Sequence, residues 1–254
     1  MTSILRKLVF FTALIVIWEI IFRVYSQQTT YFPSPLGSVQ QLYIGLFDTG
    51  ILATALAESL QRISIGFSLA LLIGGLLGVI IGVSKLADET LGSLVIALQS
   101  VPSIVWLPIA LVLFQGGAGA IYFVVILGGT WAMTLNVRMG IKNVQPILIR
   151  AAKTMGYKNS ELIWKVMLPA SIPSALTGAR LAWAFGWRAL MAAELIGRGG
   201  LGRTLMDARD FFNMDLVVAI MIIISCIGLI VEYFIFSKIE KKVLSRWGLT
   251  NSAS

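Results

Sequence analysis

Residues 63–84, ISIGFSLALLIGGLLGVIIGVS, contain no charged side chain. At about 1.5 Å per residue a helix of this length covers the roughly 30 Å hydrocarbon layer of a bilayer. In lipid the backbone must satisfy its own hydrogen bonds, which commits such a run to helix. Comparable runs recur, and the sequence predicts an all-α integral membrane protein with six transmembrane helices, over about 8–24, 63–83, 94–114, 120–136, 175–195 and 216–236. The chain is 57% hydrophobic and 13% charged, where soluble domains carry roughly 25% charged residues. These spans and the connections between them account for the 254 residues, so residues 1–254 read as a single transmembrane domain with no separate catalytic domain.

Each span has its own marks. Arg6 and Lys7 precede the first, as in a signal peptide, but Glu19 and Arg23 interrupt its apolar run and no small-residue cleavage site follows, so it reads as a retained helix. Residues 25–50 contain no Lys or Arg and include Pro33-Ser34-Pro35, which predicts an extracytoplasmic loop with a turn. Glu58 and Arg62 stand four apart, so the second helix is expected to begin before the membrane. Within it Gly74, Gly78 and Gly82 line one side and suit close helix packing. The third span holds Pro102 and Pro108. With Gln99, Ser100 and Ser103 beside this break, it reads either as a wall of a translocation path or as a kinked helix with local caps.

Arg188 and Glu194 fall inside the fifth span. Arg188 at mid-membrane carries an insertion cost of about 2.5–3.5 kcal/mol, so it needs a partner or a watery cavity. Glu194 lies six positions on, about 120° around the helix. That geometry is poor for a mutual pair, so each is expected to meet another helix or a second subunit. Gln99, Ser103, Arg188 and Glu194 are the candidate path residues.

The stretch from Pro146 to Pro173 is polar and basic. Leu148, Ala151, Ala152 and Met155 recur at helical spacing, Gly156 supplies a stop, and Asn159 or Ser160 can cap a second short helix carrying Leu162, Ile163, Val166 and Met167. Two amphipathic helices joined at a glycine make a docking surface, for a protein or for anionic lipid. With the N-terminus inside, 14 of the 20 Lys and Arg residues fall on the inner side. The positive-inside rule thus places both termini and this stretch in the cytoplasm. It also accounts for the net charge of +8, which therefore gives no reason to expect nucleic acid. Arg198, Arg203, Asp207, Arg209, Asp210 and Asp215 fall on the external loop after the fifth span.

With that placement, RAAKTMG, VMLPASIP, TGARLAW and AAEL together resemble the EAA loop of permease subunits of binding-protein-dependent ABC importers. Ala151, Ala152, Gly156, Leu168, Pro169 and Pro173 occupy the matching positions. WE at 18–19, FPSP from Phe32, SLQRISIGF from Ser59, VPSIVWLP from Val101 and GGLG from Gly199 extend the likeness toward the nitrate, sulfonate, taurine and bicarbonate branch. The resemblance implies a type I importer permease in a bacterial-type inner membrane, working as a dimer with a second permease subunit, of the same chain or of a different one. Its loop, 146–173, would seat in a groove of a cytoplasmic ATPase through Arg150, Ala151, Ala152, Lys153, Met155, Gly156, Leu168 and Pro169. A substrate-binding protein would meet the opposite face. One departure stands out, because Arg150 occupies the position where the family has Glu.

Chemistry narrows the choice further. No His is present, and Cys226 is the one cysteine, so an internal disulfide, a Cys/His metal site and histidine acid-base catalysis are excluded. Cys226 reads as a small buried hydrophobe. No G-x-x-x-x-G-K-[ST] run is present, so ATP and magnesium would be bound by a partner and this chain would hold no cofactor. The competing classes are a stand-alone secondary transporter or channel and a membrane enzyme. Glu19, Glu194 and Glu232 are too scattered for a carboxylate relay, and the carboxylates form no catalytic cluster.

Overall fold

The computed structural model describes residues 3–25 and 32–246, and their regular structure is entirely helical. In chain order the helices are α1 (Ser3–Tyr25), α2 (Pro35–Tyr43), α3 (Ile51–Val83), α4 (Lys85–Ala87), α5 (Ser93–Gln99), α6 (Leu107–Leu113) and α7 (Ala118–Lys142). They continue as α8 (Pro146–Thr154), α9 (Asn159–Leu162), α10 (Leu168–Ile196), α11 (Gly200–Asp210), α12 (Met214–Ile230) and α13 (Ser237–Arg246). Two compact units form.

The first unit comprises the described residues of Met1–Ser59 with Gly199–Ile227. Of the stretch expected as an external loop, residues 26–31 lie outside the described residues, and residues 35–48 are helical. Ser34 accepts a hydrogen bond from the Gly37 amide and Pro35 takes the first helical position, a pairing that starts helices as readily as turns. The helix then widens into a π-type turn over Ile44–Asp48. Ser34 also donates its amide to Asp215 Oδ1 at 2.6 Å, Trp18 Nε1 donates to the Pro33 carbonyl at 3.1 Å, and the Leu201 amide donates to Ser59 Oγ at 2.9 Å. Leu52, Leu201 and Ile220 are fully buried in this unit. The expected charged loop after the fifth span is largely helix α11, with Arg203 paired to Asp207 at 2.8 Å and Arg209 to Asp210 at 2.6 Å.

The second unit, Leu60–Arg198 with the described residues after Gly228, is built on α3, α7 and α10. The glycine row of α3 lies against α7 as its spacing predicts. A Cβ on Gly78 would stand 2.7 Å from the Thr134 carbonyl and 2.6 Å from Val137 Cβ, and one on Gly74 would meet the Thr130 carbonyl at 2.6 Å. Gly66 and Ala70 extend the row, facing Val125 and Gly129. Between α7 and α10 the same economy holds, with Gly140 beside Ser171 and Ser174, and Gly178 beside Asn136. Small residues let backbones approach where lipid offers no hydrophobic drive for association. Phe67 meets Trp183 edge-on at 5.5 Å, and Trp183 stacks on Trp187 at 5.9 Å.

Ion pairs close the ends of this unit. Asp88 binds Arg138 at 2.5 Å and also Lys142, tying the turn after α3 to the end of α7. Arg180 reaches Glu232 at 2.6 Å and Glu240 at 3.1 Å, fastening α10 to the turn after α12 and to α13.

The count of six spans is not reproduced. Among the described residues, four helices are long and apolar enough to cross a membrane, over Leu5–Tyr25, Ile51–Val83, Ala118–Lys142 and Met214–Val243. A fifth results if Lys85–Gln99 and Ser103–Leu113, bent by 92°, form one broken span. The expected fifth span lies in α10, which has the length but carries Arg180, Arg188 and Glu194 among small residues and so lacks an all-round apolar surface. Cys226 also departs from expectation, since it is exposed on α12. Its apolar neighbourhood signals a greasy surface, which does not require burial inside the chain.

Candidate functional site

Pro102 has no amide hydrogen, and Pro108 sits in the first turn of α6, so the helical ladder cannot run through Ser100–Ser103. The chain turns by 92° there. Ser100 Oγ donates back to the Ile96 carbonyl at 3.1 Å and so serves as a local cap. Gln99 and Ser103 make no side-chain hydrogen bond among the described residues, and both line a cavity of about 410 Å³. The opposite walls come from Gly128, Trp131 and Ala132 of α7 and from Phe185, Arg188, Ala189 and Ala192 of α10. Positions 185, 188, 189 and 192 fall on one helical face. Gly128 permits the close approach, since a Cβ there would stand 3.2 Å from Ser103 Oγ and 3.1 Å from Ala189 Cβ.

Arg188 is the charged member of this cavity. Its guanidinium lies 5.7 Å from the Phe185 ring centroid, and it forms no ion pair with any described residue. Glu194 behaves differently. It is fully buried, accepts from Arg62 Nη1 at 2.8 Å, and does not line the cavity. Arg62 Nη2 also donates to the Arg198 carbonyl at 2.9 Å. Arg188 and Glu194 therefore part company, with Glu194 meeting another helix and Arg188 facing open space. Trp131 and Phe185 were not marked by their sequence context, because an aromatic in an apolar helix gives no sign of facing a cavity.

The second candidate surface is the connection from α7 to α10. Helix α8 begins at Pro146 and ends on Met155, with Gly156 at φ 89°. The Gly156 amide donates to the Lys153 carbonyl and the Tyr157 amide to the Ala152 carbonyl, at 3.0 and 3.1 Å. This double closure needs the left-handed conformation that glycine adopts without strain. The second short helix of the sequence reading is not separate. From Asn159 the chain stays helical through α9, a π-type turn over Ile163–Met167, and α10, so Leu168 and Pro169 lie half-buried in the first turn of the long helix.

Arg150, Ala151, Lys153 and Gly156 are exposed, and Met155 is 74% exposed. Ala152, expected on the docking face, is 4% exposed and turned into its own unit. The side of α8 that meets the rest of the chain is set by tertiary packing, which helical spacing alone does not specify. Trp164, which the sequence reading passed over, is 70% exposed, and Ile147 is also exposed. A large aromatic beside Lys165 in a basic stretch was the available signal. Lys165 pairs with Glu161 at 2.8 Å and stands 5.1 Å from the Tyr157 ring centroid. The Lys165 ammonium, by hydrogen bond and charge, holds the Glu161 carboxyl below its usual range, and Glu161 in turn raises the Lys165 pKa.

Residues 70–244 match the family model described as binding-protein-dependent transport system inner membrane component. A protein of Methanocaldococcus jannaschii with the provisional name ABC transporter permease protein is 32% identical, over 89% of this chain and 90% of its own. The nitrate import permease protein of Synechocystis is 29% identical, over 92% of this chain and 87% of its own. The bicarbonate transport system permease protein of Synechococcus elongatus is 31% identical, over 82% and 73%. Among solved structures, an inward-facing form of the MetNI methionine ABC transporter superposes with a TM-score of 0.67. It is 19% identical and covers 76% of this chain and 96% of that one, a likeness of fold.

Proposed function

The chain belongs to the family of binding-protein-dependent transport system inner membrane components, and on that premise we propose how it carries and couples its substrate. It is a permease subunit of an ABC importer. The path runs by the cavity at the broken third span, where Arg188 offers a positive charge with Gln99 and Ser103 as hydrogen-bonding neighbours. The substrate class this favours is a small oxyanion or organic acid, in keeping with relatives named for nitrate and bicarbonate. The observation that carries the reading is Arg188, a cation in a helix among membrane spans that opens on a cavity and lacks an ion pair among the described residues. A guanidinium so placed is either costly or occupied by an anion in transit.

Uptake assays on the reconstituted importer test this. Arg188→Gln is expected to lower anion uptake by about tenfold or more, the loss of a charge-assisted hydrogen bond. Arg188→Lys should retain part of it, and both variants should assemble normally. Unchanged anion uptake by Arg188→Gln would remove Arg188 from the path.

Energy enters through a separate ATPase that binds ATP and magnesium, since this chain has no phosphate-cradling motif. The exposed face of α8 and of the π-type turn after α9, with Ile147, Ala151, Met155 and Trp164 ringed by Arg150, Lys153 and Lys165, is the seat for that partner. Both termini and this surface lie on the cytoplasmic side, by the distribution of Lys and Arg. The working unit is a dimer of such permeases, most simply of two copies of this chain, supplied from the other side by a substrate-binding protein. Arg150 meets a carboxylate of the ATPase groove. Stimulation of ATPase activity should then fall with Arg150→Glu, and an unaltered or improved rate would show that the apolar face alone does the coupling.

A further inference from the structure

Helix α2 and the π-type turn that continues it to Asp48 have two unlike faces. Ser38 and Gly45 are buried, whereas Leu36, Val39, Tyr43 and Phe47 point outward and are 58–78% exposed. They follow one another at steps of three or four residues, and the Tyr43 and Phe47 rings lie 5.3 Å apart. Asp48 is the only charged residue between Val24 and Ala57. Water is a poor neighbour for an apolar stripe this continuous.

Two contacts fix its depth. Trp18, whose indole donates to the Pro33 carbonyl, lies seven residues before the end of α1 at Tyr25. Pro33 therefore sits beside the last two turns of that span, up to about 10 Å short of its end. Phe32 stacks on Tyr25 at 5.9 Å. The Ser34 amide is held by Asp215, the second residue of α12. Helix α2 thus begins where one membrane helix ends and another begins, at the level where tryptophan and tyrosine gather in membrane proteins.

We infer that residues 35–48 form an interfacial helix seated in the lipid leaflet on that face, with Leu36, Val39, Tyr43 and Phe47 among the upper acyl chains. Lipid is the occupant because the stripe is held at the boundary depth of two span ends and offers no charge by which a protein partner would be recognised. Its apolar surface matches the exposed surface of α1, where Leu8, Phe10, Phe11 and Ile15 point outward. With no cation in the segment, insertion depends on apolar area and is independent of anionic headgroups. The assignment stands apart from the transport reading.

Cys226 is the sole cysteine, so a Cys226→Ser background gives clean single-site labelling. Leu36→Cys, Val39→Cys, Tyr43→Cys, Phe47→Cys and Asp48→Cys would each carry an environment-sensitive fluorophore, in the whole chain reconstituted in nanodiscs. With lipids brominated high on the acyl chain, the four stripe positions should lose about half their emission, and the label at 48 should respond to aqueous iodide instead. Iodide quenching along the stripe would overturn the assignment. So would shielding from both quenchers, the sign of a protein cover, or shielding gained only on adding a binding protein. A measurement on the unsubstituted chain guards against label effects. A lipid with a diazirine in its upper acyl chain should leave adducts within residues 36–47, and adducts confined to the long helices would equally defeat the proposal.

Discussion

Arg188 and Glu194 share one helix but have different neighbours. Glu194 is wholly buried, and the Arg62 guanidinium at 2.8 Å offsets the cost of taking its charge out of water. Removing one partner leaves the other uncompensated, so Glu194→Gln should destabilise the chain by about 3–5 kcal/mol. Thermal unfolding of the purified protein measures this, and Arg62→Met with Glu194→Leu should recover most of the loss. A double variant as unstable as the single one would mean that Arg62 serves chiefly through its bond to the Arg198 carbonyl. Lys165 and Glu161 sit at the other extreme, exposed and titrating toward opposite ends of the pH scale. The lowered Glu161 pKa gives stability that is present above its ordinary value and lost as pH falls through the folded one. The raised Lys165 pKa gives stability that is lost only as pH rises through its own folded value. Stimulation of ATPase activity should therefore show no inflection from this pair across the neutral range, and an inflection there that vanishes in Glu161→Gln would contradict the assignment.

Among the elements, α3 offers the sharpest comparison. Gly78 faces the α7 backbone, whereas a Cβ on Gly75 would meet nothing nearer than Met133 Cε at 3.8 Å. Gly78→Ala should cost about 1–3 kcal/mol as the helices are forced apart, with Gly75→Ala near neutral by thermal unfolding. Equal effects would mean that helix propensity, rather than contact, governs both sites. What the sequence made legible here is local. The four-residue glycine row, the stop at Gly156 and the proline break near Ser103 depend on neighbours along the chain, and each lies where spacing places it. The pairing of Arg62 with Glu194 spans 132 positions and leaves no periodic trace. Nor does the inward turn of Ala152, which depends on which side of α8 the remainder of the fold covers. Ser34-Pro35 suits a turn and a helix start alike; here the Ser34 hydroxyl accepts from the Gly37 amide and caps a helix, and the Ser34 amide is held by Asp215, 181 positions away.

At the scale of the whole molecule, the importer assignment predicts a contact that can be trapped. Met155→Cys or Ala151→Cys, in a Cys226→Ser background, should crosslink to the ATPase, while Ala152→Cys should react poorly because it is buried. Failure at every exposed position of α8 and α9 would place this surface on lipid. On the proposed coupling, motion would pass from there to the cavity along one continuous helical segment. Helical structure runs without interruption from Asn159 to Ile196, and Arg188 lies 23 residues beyond Lys165, about 35 Å along the axis. On the proposed coupling this segment would work as a lever arm: a tilt of about 10° imposed at its partner-facing end would swing the guanidinium by roughly 6 Å, about one helical turn. A stroke of that size would carry the charge from one side of a cavity this small to the other, with no hinge near the substrate.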